Sequence, residues 1–222
     1  MDFGRNSVER ALQDKDAHRS KLKNLISLTA VRVVLMLLLL VAALAVSFVL
    51  GAIRGIVDSA PELKPDSIAP MGFATSVYDA TGNQVETLVM AGSNREEATY
   101  EELPKNLINA FVAIEDERFW QHNGVDTRSI MRAVVGVIRG TSSSGGGSTI
   151  TQQLIKNNLF NGGREKSFGE KLTRKIQEQY LAMKLERIMS KEVILTNYLN
   201  TINLGSNALG VKVASRRYFN KE

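Results

Sequence analysis

The sequence of 222 residues contains no cysteine and only two histidines. The lack of cysteine excludes a disulfide scaffold, a thiolate nucleophile and a cysteine-ligated zinc or iron–sulfur site. The two histidines, His18 and His122, lie far apart in the sequence, so a histidine-rich metal site is not indicated. The length is sufficient for one domain with a hydrophobic core and short for two.

Long apolar runs are also absent, with one exception. Residues 33–53 form a stretch of 21 residues without a charged side chain. A helix of this length, at about 1.5 Å per residue, crosses a hydrocarbon core of about 30 Å. The apolar region of a signal peptide is usually shorter, about 7–15 residues. We therefore predict a retained transmembrane helix over 33–53, in preference to a buried core helix or a cleaved signal peptide.

The segment before this run is basic, and it predicts the membrane topology. Its basic residues are Arg5, Arg10, Lys15, Arg19, Lys21, Lys23 and Arg32. Because basic residues next to a membrane span favour the cytoplasmic side, residues 1–32 are predicted to be a cytoplasmic tail of a single-pass plasma-membrane protein. Everything after residue 53 then lies outside. Residues 54–74, which hold three of the four prolines, predict an extended linker.

Charge is unevenly distributed after the apolar run. Residues 54–126 carry 5 basic and 13 acidic side chains, whereas residues 127–222 carry 16 basic and 6 acidic side chains. A basic surface near a bilayer favours an anionic partner, either lipid headgroups or a phosphorylated substrate. Nucleic acid is the usual alternative partner for a basic surface, but the predicted location outside the cell argues against it.

The pattern downstream of the linker predicts a small hairpin followed by helices. Two short strands, 75–78 and 84–90, flank a turn-rich spacer. The first helix is predicted over about 105–120, which places Phe111, Glu115 and Phe119 at i, i+4 and i+8. A carboxylate on such an aromatic stripe is costly unless it has a partner or a task, so Glu115 is a candidate functional residue.

Three further helices have recognisable N-terminal caps. The caps are Thr149 with Gln152, Ser167 with Glu170, and Ser190. They predict helices that start at residue 150, run over about 168–188, and run over about 191–202. Residues 141–147 are seven consecutive Ser, Thr and Gly residues, which packing cannot hold in one shape, so they predict a mobile loop.

The apolar residues of the last two helices predict which faces pack. The core stripe of the helix over 168–188 is predicted to be Leu172, Ile176, Tyr180 and Met183. The helix over 191–202 is predicted to bury Ile194, Leu195, Tyr198 and Leu199. Arg174 and Glu178 lie four residues apart on a neighbouring face, with Lys175 beside them. On spacing alone, the preferred interpretation is an ordinary surface ion pair worth a few tenths of a kcal/mol.

Four motifs taken in order indicate a family. They are EDERFWQHNG at 115–124, GGSTITQQ at 146–153, RKIQE at 174–178 and KEVILTNYLN at 191–200. Together they resemble the family 51 peptidoglycan glycosyltransferases, which comprise the N-terminal domain of class A penicillin-binding proteins and the monofunctional glycosyltransferases. The resemblance covers about residues 75–222. It implies a mainly α, lysozyme-like glycosyltransferase fold with a small N-terminal β-hairpin and one transmembrane helix, in a domain that is C-terminally incomplete here.

The resemblance also implies an activity and a set of site residues. The family polymerises lipid II into β-1,4 glycan strands with inversion, releasing undecaprenyl pyrophosphate from the anomeric carbon of a MurNAc. Glu115 matches the family's general base, and Glu178 matches its second glutamate. The basic contacts to pyrophosphate match Lys156, Arg174 and Lys175. The positions that shape the cleft match Asp116, His122, Ser148, Thr149 and Gln152.

The chemistry of these residue types agrees with that activity. An inverting displacement needs a base on the acceptor side and positive charge where the diphosphate leaves. The sequence leaves open whether Arg164, Lys166 or Lys171 also reaches phosphate. The resemblance allows a divalent cation, Mg or Mn, at the diphosphate, although no ligand spacing requires one. The implied partners are lipid II, the growing lipid-linked glycan chain, the membrane and other cell-wall synthesis proteins.

Two other functions remain open from the sequence. The chain could be a truncated, catalytically silent, membrane-anchored interaction module of the same family. It could also be a lytic transglycosylase, which shares the lysozyme-like fold but cleaves glycan strands. The paired Glu-Asp motif and the Arg-Lys-x-x-Glu motif favour synthesis over cleavage.

Overall fold

The computed structural model describes residues 4–90, 92–138, 140 and 147–221. The chain divides into two compact units, Met1–Gly55 and Ile56–Glu222. The loop predicted at 141–147 lies outside the described residues except for Gly147.

The first unit is formed by helix α1, Arg5–Asp58, whose last three residues belong to the second unit. Its part Leu28–Asp58 is long and apolar enough to cross a membrane. Apolar side chains such as Leu39 and Phe48 are exposed all along it. The predicted apolar helix is confirmed, and it extends beyond 33–53 in both directions. No proline interrupts it, since the first proline of the chain is Pro61.

The segment after α1 is partly folded, in contrast to the extended linker expected over 54–74. A short 3₁₀ turn spans Pro65–Ser67. On either side of it, Leu63 and Ile68 are buried in the hydrophobic core of the second unit. The carbonyl of Ile68 also accepts a hydrogen bond from the side-chain amide of Asn158. Burial of these two apolar side chains fixes a segment whose prolines alone suggested an extended chain.

The predicted hairpin is confirmed. Strands β1 (Thr75–Tyr78) and β2 (Gln84–Leu88) pair antiparallel, with Thr75 opposite Leu88. The turn between them is closed by Asp79, whose carboxylate accepts hydrogen bonds from the backbone of Thr81 and Asn83 at 2.8 and 2.9 Å. The strands are almost entirely exposed, so this turn chemistry, rather than burial, sets their register.

The described part of the second unit is otherwise helical. The helices are α2 (Lys105–Glu115), α3 (Thr127–Ile138), α4 (Ile150–Leu159), α5 (Phe168–Leu185), α6 (Lys191–Thr201) and α7 (Val211–Phe219). All three predicted caps are confirmed, since Thr149, Ser167 and Ser190 accept backbone hydrogen bonds at the starts of α4, α5 and α6. Helices α3 and α7 were not identified from the sequence. The mainly α, lysozyme-like architecture with one hairpin and one apolar helix is confirmed.

Helix α2 ends at Glu115, five residues before the predicted end at Trp120. Asp116 leaves the helical conformation, with φ −161° and ψ 73°, and its carboxylate accepts the backbone N–H of Ile150 at 3.0 Å. The predicted stripe of Phe111, Glu115 and Phe119 is therefore wrong. Phe119 lies in the loop after α2 and is fully buried in the core.

The core lies between α4, α5 and α6, and it corrects the predicted face of α5. Leu172 and Met183 of the predicted stripe are 51% and 43% exposed. The buried face instead carries Arg174, Gln177, Glu178, Leu181, Ala182 and Leu185. The interpretation of Arg174 and Glu178 as a surface pair is wrong for the same reason. The predicted burial of Ile194, Leu195, Tyr198 and Leu199 on α6 is confirmed.

Candidate active site

Glu115 is the last residue of α2 and lines a small pocket of about 150 Å³. The polar side chains that share this pocket are Asp116, Glu117, Arg118, Asp126, Ser129, Arg132, Ser148 and Thr149. The Glu115 side chain is half-buried. A carboxylate at the end of a helix, at the wall of a polar pocket, can receive a proton from a bound molecule.

The partner of Glu115 is a residue that sequence reasoning missed. The side-chain amide of Gln153, on α4, donates a hydrogen bond to Glu115 Oε2 at 2.9 Å. The amide oxygen of Gln153 in turn accepts a hydrogen bond from the Tyr198 hydroxyl at 3.3 Å. In the sequence, Gln153 is the second glutamine of the motif GGSTITQQ, directly after the predicted Gln152, and this position was the available sign of a role. Since Gln152 and Gln153 are adjacent on a helix, they point in different directions and serve different purposes.

Glu178 lies at the centre of a buried charged cluster. Its side chain is fully buried, and one carboxylate oxygen accepts a hydrogen bond from Arg174. Lys175 Nζ lies 2.8 Å from the other oxygen, outside hydrogen-bond geometry, so that contact is an ion pair only. Arg174 also donates from Nε to Glu165 Oε2 at 2.7 Å. Two further charged groups, Lys175 and Glu165, therefore accompany the pair of Glu178 and Arg174 and compensate its burial.

The Arg174 guanidinium is held as a cation by this cluster. Burial by itself would lower the pKa of Arg174, but the hydrogen bonds from its guanidinium to Glu165 and Glu178 raise the pKa above its ordinary value. Its side chain is 10% exposed. The predicted contact between Arg174 and pyrophosphate stays a prediction, because in this structure the guanidinium is occupied by two carboxylates.

Ser148 connects the pocket of Glu115 with the charged cluster. It lines the pocket, and its hydroxyl accepts a hydrogen bond from Lys175 Nζ at 2.8 Å. Lys175 is 40% exposed, more than its buried partner Glu178. Glu115 and Ser148 thus line one pocket, Lys175 contacts Ser148 at its wall, and Lys175 in turn contacts the buried Glu178, although these residues come from three different motifs.

Asp116 and His122 belong to a network that holds the site together. His122 Nε2 donates to the Asp116 carboxylate at 2.8 Å, while His122 Nδ1 accepts the Gly124 N–H at 3.1 Å. Because Nδ1 is an acceptor, the proton of the neutral ring is on Nε2. The Asp116 carboxylate also accepts the N–H of Ile150. The loop after α2 is thereby attached to the first turn of α4.

Thr149 and Gln152 complete this attachment. The Thr149 hydroxyl donates to the carbonyl of Gly124 at 2.7 Å, and the Gln152 amide donates to the same carbonyl at 3.5 Å. Gly124 has φ +85°, and a Cβ there would lie 2.5 Å from the Ala182 carbonyl of α5. The structure therefore places both residues in the packing of the loop against α4 and α5, and their role in shaping the cleft stays a prediction.

Two basic residues that were not predicted also line the pocket. Arg132 lines it from α3, and Arg118 lines it from the loop after α2. Arg118 and Ser129 both donate to the Asp126 carboxylate. Burial alone would raise the pKa of Asp126, but the hydrogen bonds from Ser129 and Arg118 outweigh it and lower the pKa to about 2. Asp126 is therefore ionised whenever the protein is folded at ordinary pH.

The remaining predicted cations are available to a ligand. Lys156 is half-buried in the last turn of α4, and within the described residues its ammonium group has no hydrogen bond or ion pair. Arg164 and Lys166 are exposed in the connection to α5, and Lys171 is exposed on α5 near Glu165. The choice among these three for a phosphate contact therefore stays open.

A larger cleft, of about 700 Å³, lies elsewhere on the second unit, between α2 and α7. It is lined mainly by apolar side chains, including Leu103, Leu107, Phe111, Val211 and Phe219. Of the predicted site residues, Glu115, Asp116, Ser148 and Thr149 line the small polar pocket, and none lines this cleft in the part of the chain that the structure describes. The described residues also contain no group of three or more His, Cys, Asp or Glu that could hold a metal ion.

Comparisons with known proteins agree with the geometry. The family model described as Transglycosylase matches residues 81–222. Penicillin-binding protein 1A of Clostridium novyi (strain NT) is 41% identical over 175 residues, which are 77% of this chain and 20% of that protein. Penicillin-binding protein 1A of Clostridium acetobutylicum is 45% identical over 177 residues, covering 77% of this chain and 22% of that protein.

A relative from a third organism is similar to this chain to about the same extent. Penicillin-binding protein 1A of Aquifex aeolicus (strain VF5) is 44% identical over 148 residues, which are 67% of this chain and 19% of that protein. The chain thus spans about a fifth of the length of these curated relatives. With the helical fold, the order of the motifs and these identities, the chain belongs to the family 51 transglycosylases, the glycosyltransferase domain family of class A penicillin-binding proteins.

Proposed function

We propose that this chain is a membrane-anchored peptidoglycan glycosyltransferase that polymerises lipid II and releases undecaprenyl pyrophosphate. One observation carries the proposal. Glu115 lines a pocket whose wall at Ser148 is in direct contact with Lys175 of the charged cluster. A carboxylate base and fixed positive charge along one surface are what a sugar transfer with an anionic leaving group requires.

In this proposal Glu115 acts on the acceptor. Its carboxylate takes the proton of the 4-hydroxyl of an acceptor GlcNAc while the hydroxyl oxygen bonds to the anomeric carbon of the donor MurNAc. The bond from that carbon to the diphosphate oxygen breaks, and the diphosphate leaves with the electron pair. Attack from the face opposite the leaving group inverts the anomeric configuration. A positioned general base contributes about 10²–10⁴-fold to a rate.

The basic side chains act on the donor. Among the three residues that match the basic contacts to pyrophosphate, Lys175 is 40% exposed and Lys156 has no hydrogen bond or ion pair within the described residues, so we assign these two to the diphosphate. Glu178 holds Lys175 and Arg174 in place through the buried cluster. Arg174 then supports this arrangement and reaches phosphate only if it releases one of its two carboxylates. No step in this proposal is assigned to a metal ion.

Helix α1 supplies the anchor in this proposal. The substrate is lipid-linked, so a domain next to the bilayer gains local concentration over a free one. The apolar part Leu28–Asp58 is exposed and long enough to cross the hydrocarbon core. The basic residues before it favour a cytoplasmic N-terminus and a catalytic unit outside the plasma membrane.

The test is polymerisation of lipid II by the purified 222-residue chain in detergent, with glycan products separated by gel electrophoresis. We expect polymer from the native sequence, and a loss of at least about 100-fold in Glu115→Gln. The matched control is Glu101→Gln, because Glu101 is exposed and lies before α2, outside the pocket.

Each outcome distinguishes the candidate functions. A folded chain that makes no polymer supports the silent interaction module and overturns the proposal. Cleavage of preformed glycan strands would instead indicate a lytic transglycosylase. Full activity of Glu115→Gln, next to an active native chain, would remove the assignment of Glu115 as the base while leaving the activity in place.

A further inference from the structure

The two candidate glutamates have contrasting partners. Glu178 is fully buried and contacts two cations, Arg174 and Lys175, through its two oxygens. Glu115 is half-buried, and within the described residues its carboxylate has one hydrogen-bond partner, the neutral amide of Gln153. A carboxylate with both oxygens in ion pairs has little capacity for another proton donor. Glu115 keeps Oε1 for a further hydrogen bond.

The Gln153 amide can hold Glu115 in only one orientation. Its NH₂ group donates to Glu115 Oε2 at 2.9 Å, and its oxygen faces the Tyr198 hydroxyl at 3.3 Å. If the amide were turned by 180°, its oxygen would face the carboxylate, and its NH₂ group would face the hydroxyl. A carboxylate only accepts hydrogen bonds, so the turned orientation places two acceptors against each other.

The surroundings of Tyr198 keep its hydroxyl a hydrogen-bond donor to Gln153. It is 3% exposed on α6, and its ring meets Phe111 of α2 edge to face, with 6.4 Å between ring centroids. Burial raises the pKa of the Tyr198 hydroxyl, and the negative charge of Glu115 raises it further. The hydroxyl is therefore protonated at neutral pH, and the ring packs against Phe111 of α2, the helix that carries Glu115.

We propose that Gln153 and Tyr198 are positioning residues for Glu115. The Tyr198 hydroxyl fixes the amide of Gln153, and the amide holds Oε2 of Glu115, so that Oε1 is turned towards the acceptor hydroxyl. This inference rests on the proposed function, because it needs Glu115 to act as the base. Residues on α2, α4 and α6 then set the direction of one carboxylate. A misplacement of about 1 Å at a reacting group can reduce a rate by about 100-fold.

The test uses the complete chain in detergent with lipid II, and it measures kcat and KM separately. Tyr198→Phe keeps the ring and its contact with Phe111 but removes the hydroxyl. We expect its kcat to fall about tenfold with KM changed less than about twofold, since the substrate contacts are intact. Gln153→Ala removes the amide that contacts Glu115 directly and should lower kcat by about 50-fold. The control is Tyr180→Phe, because Tyr180 is a half-buried tyrosine on α5 away from Glu115.

A double-mutant cycle separates positioning from a general structural role. If Tyr198 acts only through Gln153, the variant with both substitutions has the kcat of Gln153→Ala alone. If the two losses multiply, the inference is overturned. It is also overturned if Tyr198→Phe retains native kcat, or if its loss disappears once kcat is normalised to the folded fraction measured by thermal unfolding.

Failure of this inference can be told from failure of the proposed function. An active native chain with an equally active Tyr198→Phe variant overturns the positioning role alone. A native chain that is folded and makes no glycan overturns the proposed function, and the positioning role with it.

Discussion

The guanidinium of Arg174 lies directly against the backbone of Gly163. A Cβ built at Gly163 would lie 2.9 Å from Arg174 Cζ, closer than carbon atoms pack. Gly163 also has φ +75°, a conformation that favours glycine. The turn between α4 and α5 therefore leaves room for the side chain that pairs with Glu178, and a residue outside every motif supports the charged cluster.

A substitution at Gly163 should disturb this cluster. Gly163→Ala adds a Cβ that Arg174 has to avoid, and it also carries the cost of an alanine at positive φ, about 1 kcal/mol. Gly162→Ala is a matched control, since Gly162 has φ +77° and its Cβ would meet nothing within 4 Å. We expect Gly163→Ala to lose at least ~2 kcal/mol of unfolding free energy and Gly162→Ala about 1 kcal/mol. Equal losses would show that Arg174 yields without cost.

The buried charge of Glu178 gives a second prediction. Glu178→Gln removes the charge that compensates Arg174 and Lys175, and breaking a buried pair costs about 3 kcal/mol. Glu165→Gln is the comparison, because Glu165 contacts the same guanidinium from a more exposed position. Urea unfolding, followed by the fluorescence of the single tryptophan, Trp120, should show a smaller loss for Glu165→Gln. A larger loss there would contradict the central role of Glu178 in the cluster.

The carboxylate of Asp116 gives a third prediction. Asp116→Ala leaves the N–H of Ile150 and the ring of His122 without their acceptor, and unsatisfied buried donors cost about 1–3 kcal/mol each. We expect a loss of about 3 kcal/mol in urea unfolding. Asp66→Ala is the control, because Asp66 is exposed in the 3₁₀ turn. If both variants unfold alike, the network around His122 does not contribute to stability.

Stability should fall in acid partly through Asp126. Its pKa is lowered to about 2 in the folded protein, whereas an unfolded aspartate titrates near ~4. The contribution of ionised Asp126 to the free energy of unfolding is therefore fully present above about pH 4 and is lost as the pH falls through about 2. Asp126→Asn should flatten the stability curve in that window. Asp79 has its pKa lowered to about 2 by hydrogen bonds from Thr81 and Asn83, so Asp79→Asn provides a separate comparison. An unchanged slope in Asp126→Asn would contradict the assignment.

Features of the fold that depend on neighbours in sequence were predictable. The capping box of Thr149 and Gln152 and the turn of the β-hairpin involve hydrogen bonds between residues two to four positions apart. The starts of α4, α5 and α6 and the turn of the hairpin could therefore be predicted from residue types alone. The end of α2 was not, since Asp116 leaves the helix to reach Ile150, 34 residues later.

The candidate site likewise has features that could be predicted from the sequence and features that could not. The motifs indicated Glu115, Glu178 and the lysines as a set, and the fold places several of them along one surface. The contact of Gln153 with Glu115 spans 38 residues, and no local pattern indicates that Gln153 reaches Glu115. The pocket wall from α3 was also missed, because that helix was not identified from the sequence.

By itself the sequence determined the apolar helix, the hairpin, the starts of α4, α5 and α6 and the family, since each depends on hydrophobic runs, local hydrogen bonds or the order of short motifs. Only the tertiary structure decided that α5 turns Arg174 and Glu178 inward and Leu172 outward. An ion pair four residues apart has the same spacing on an exposed face as on a buried one. Its environment depends on which parts of the chain, such as α4, pack against α5, and that is a property of the whole fold.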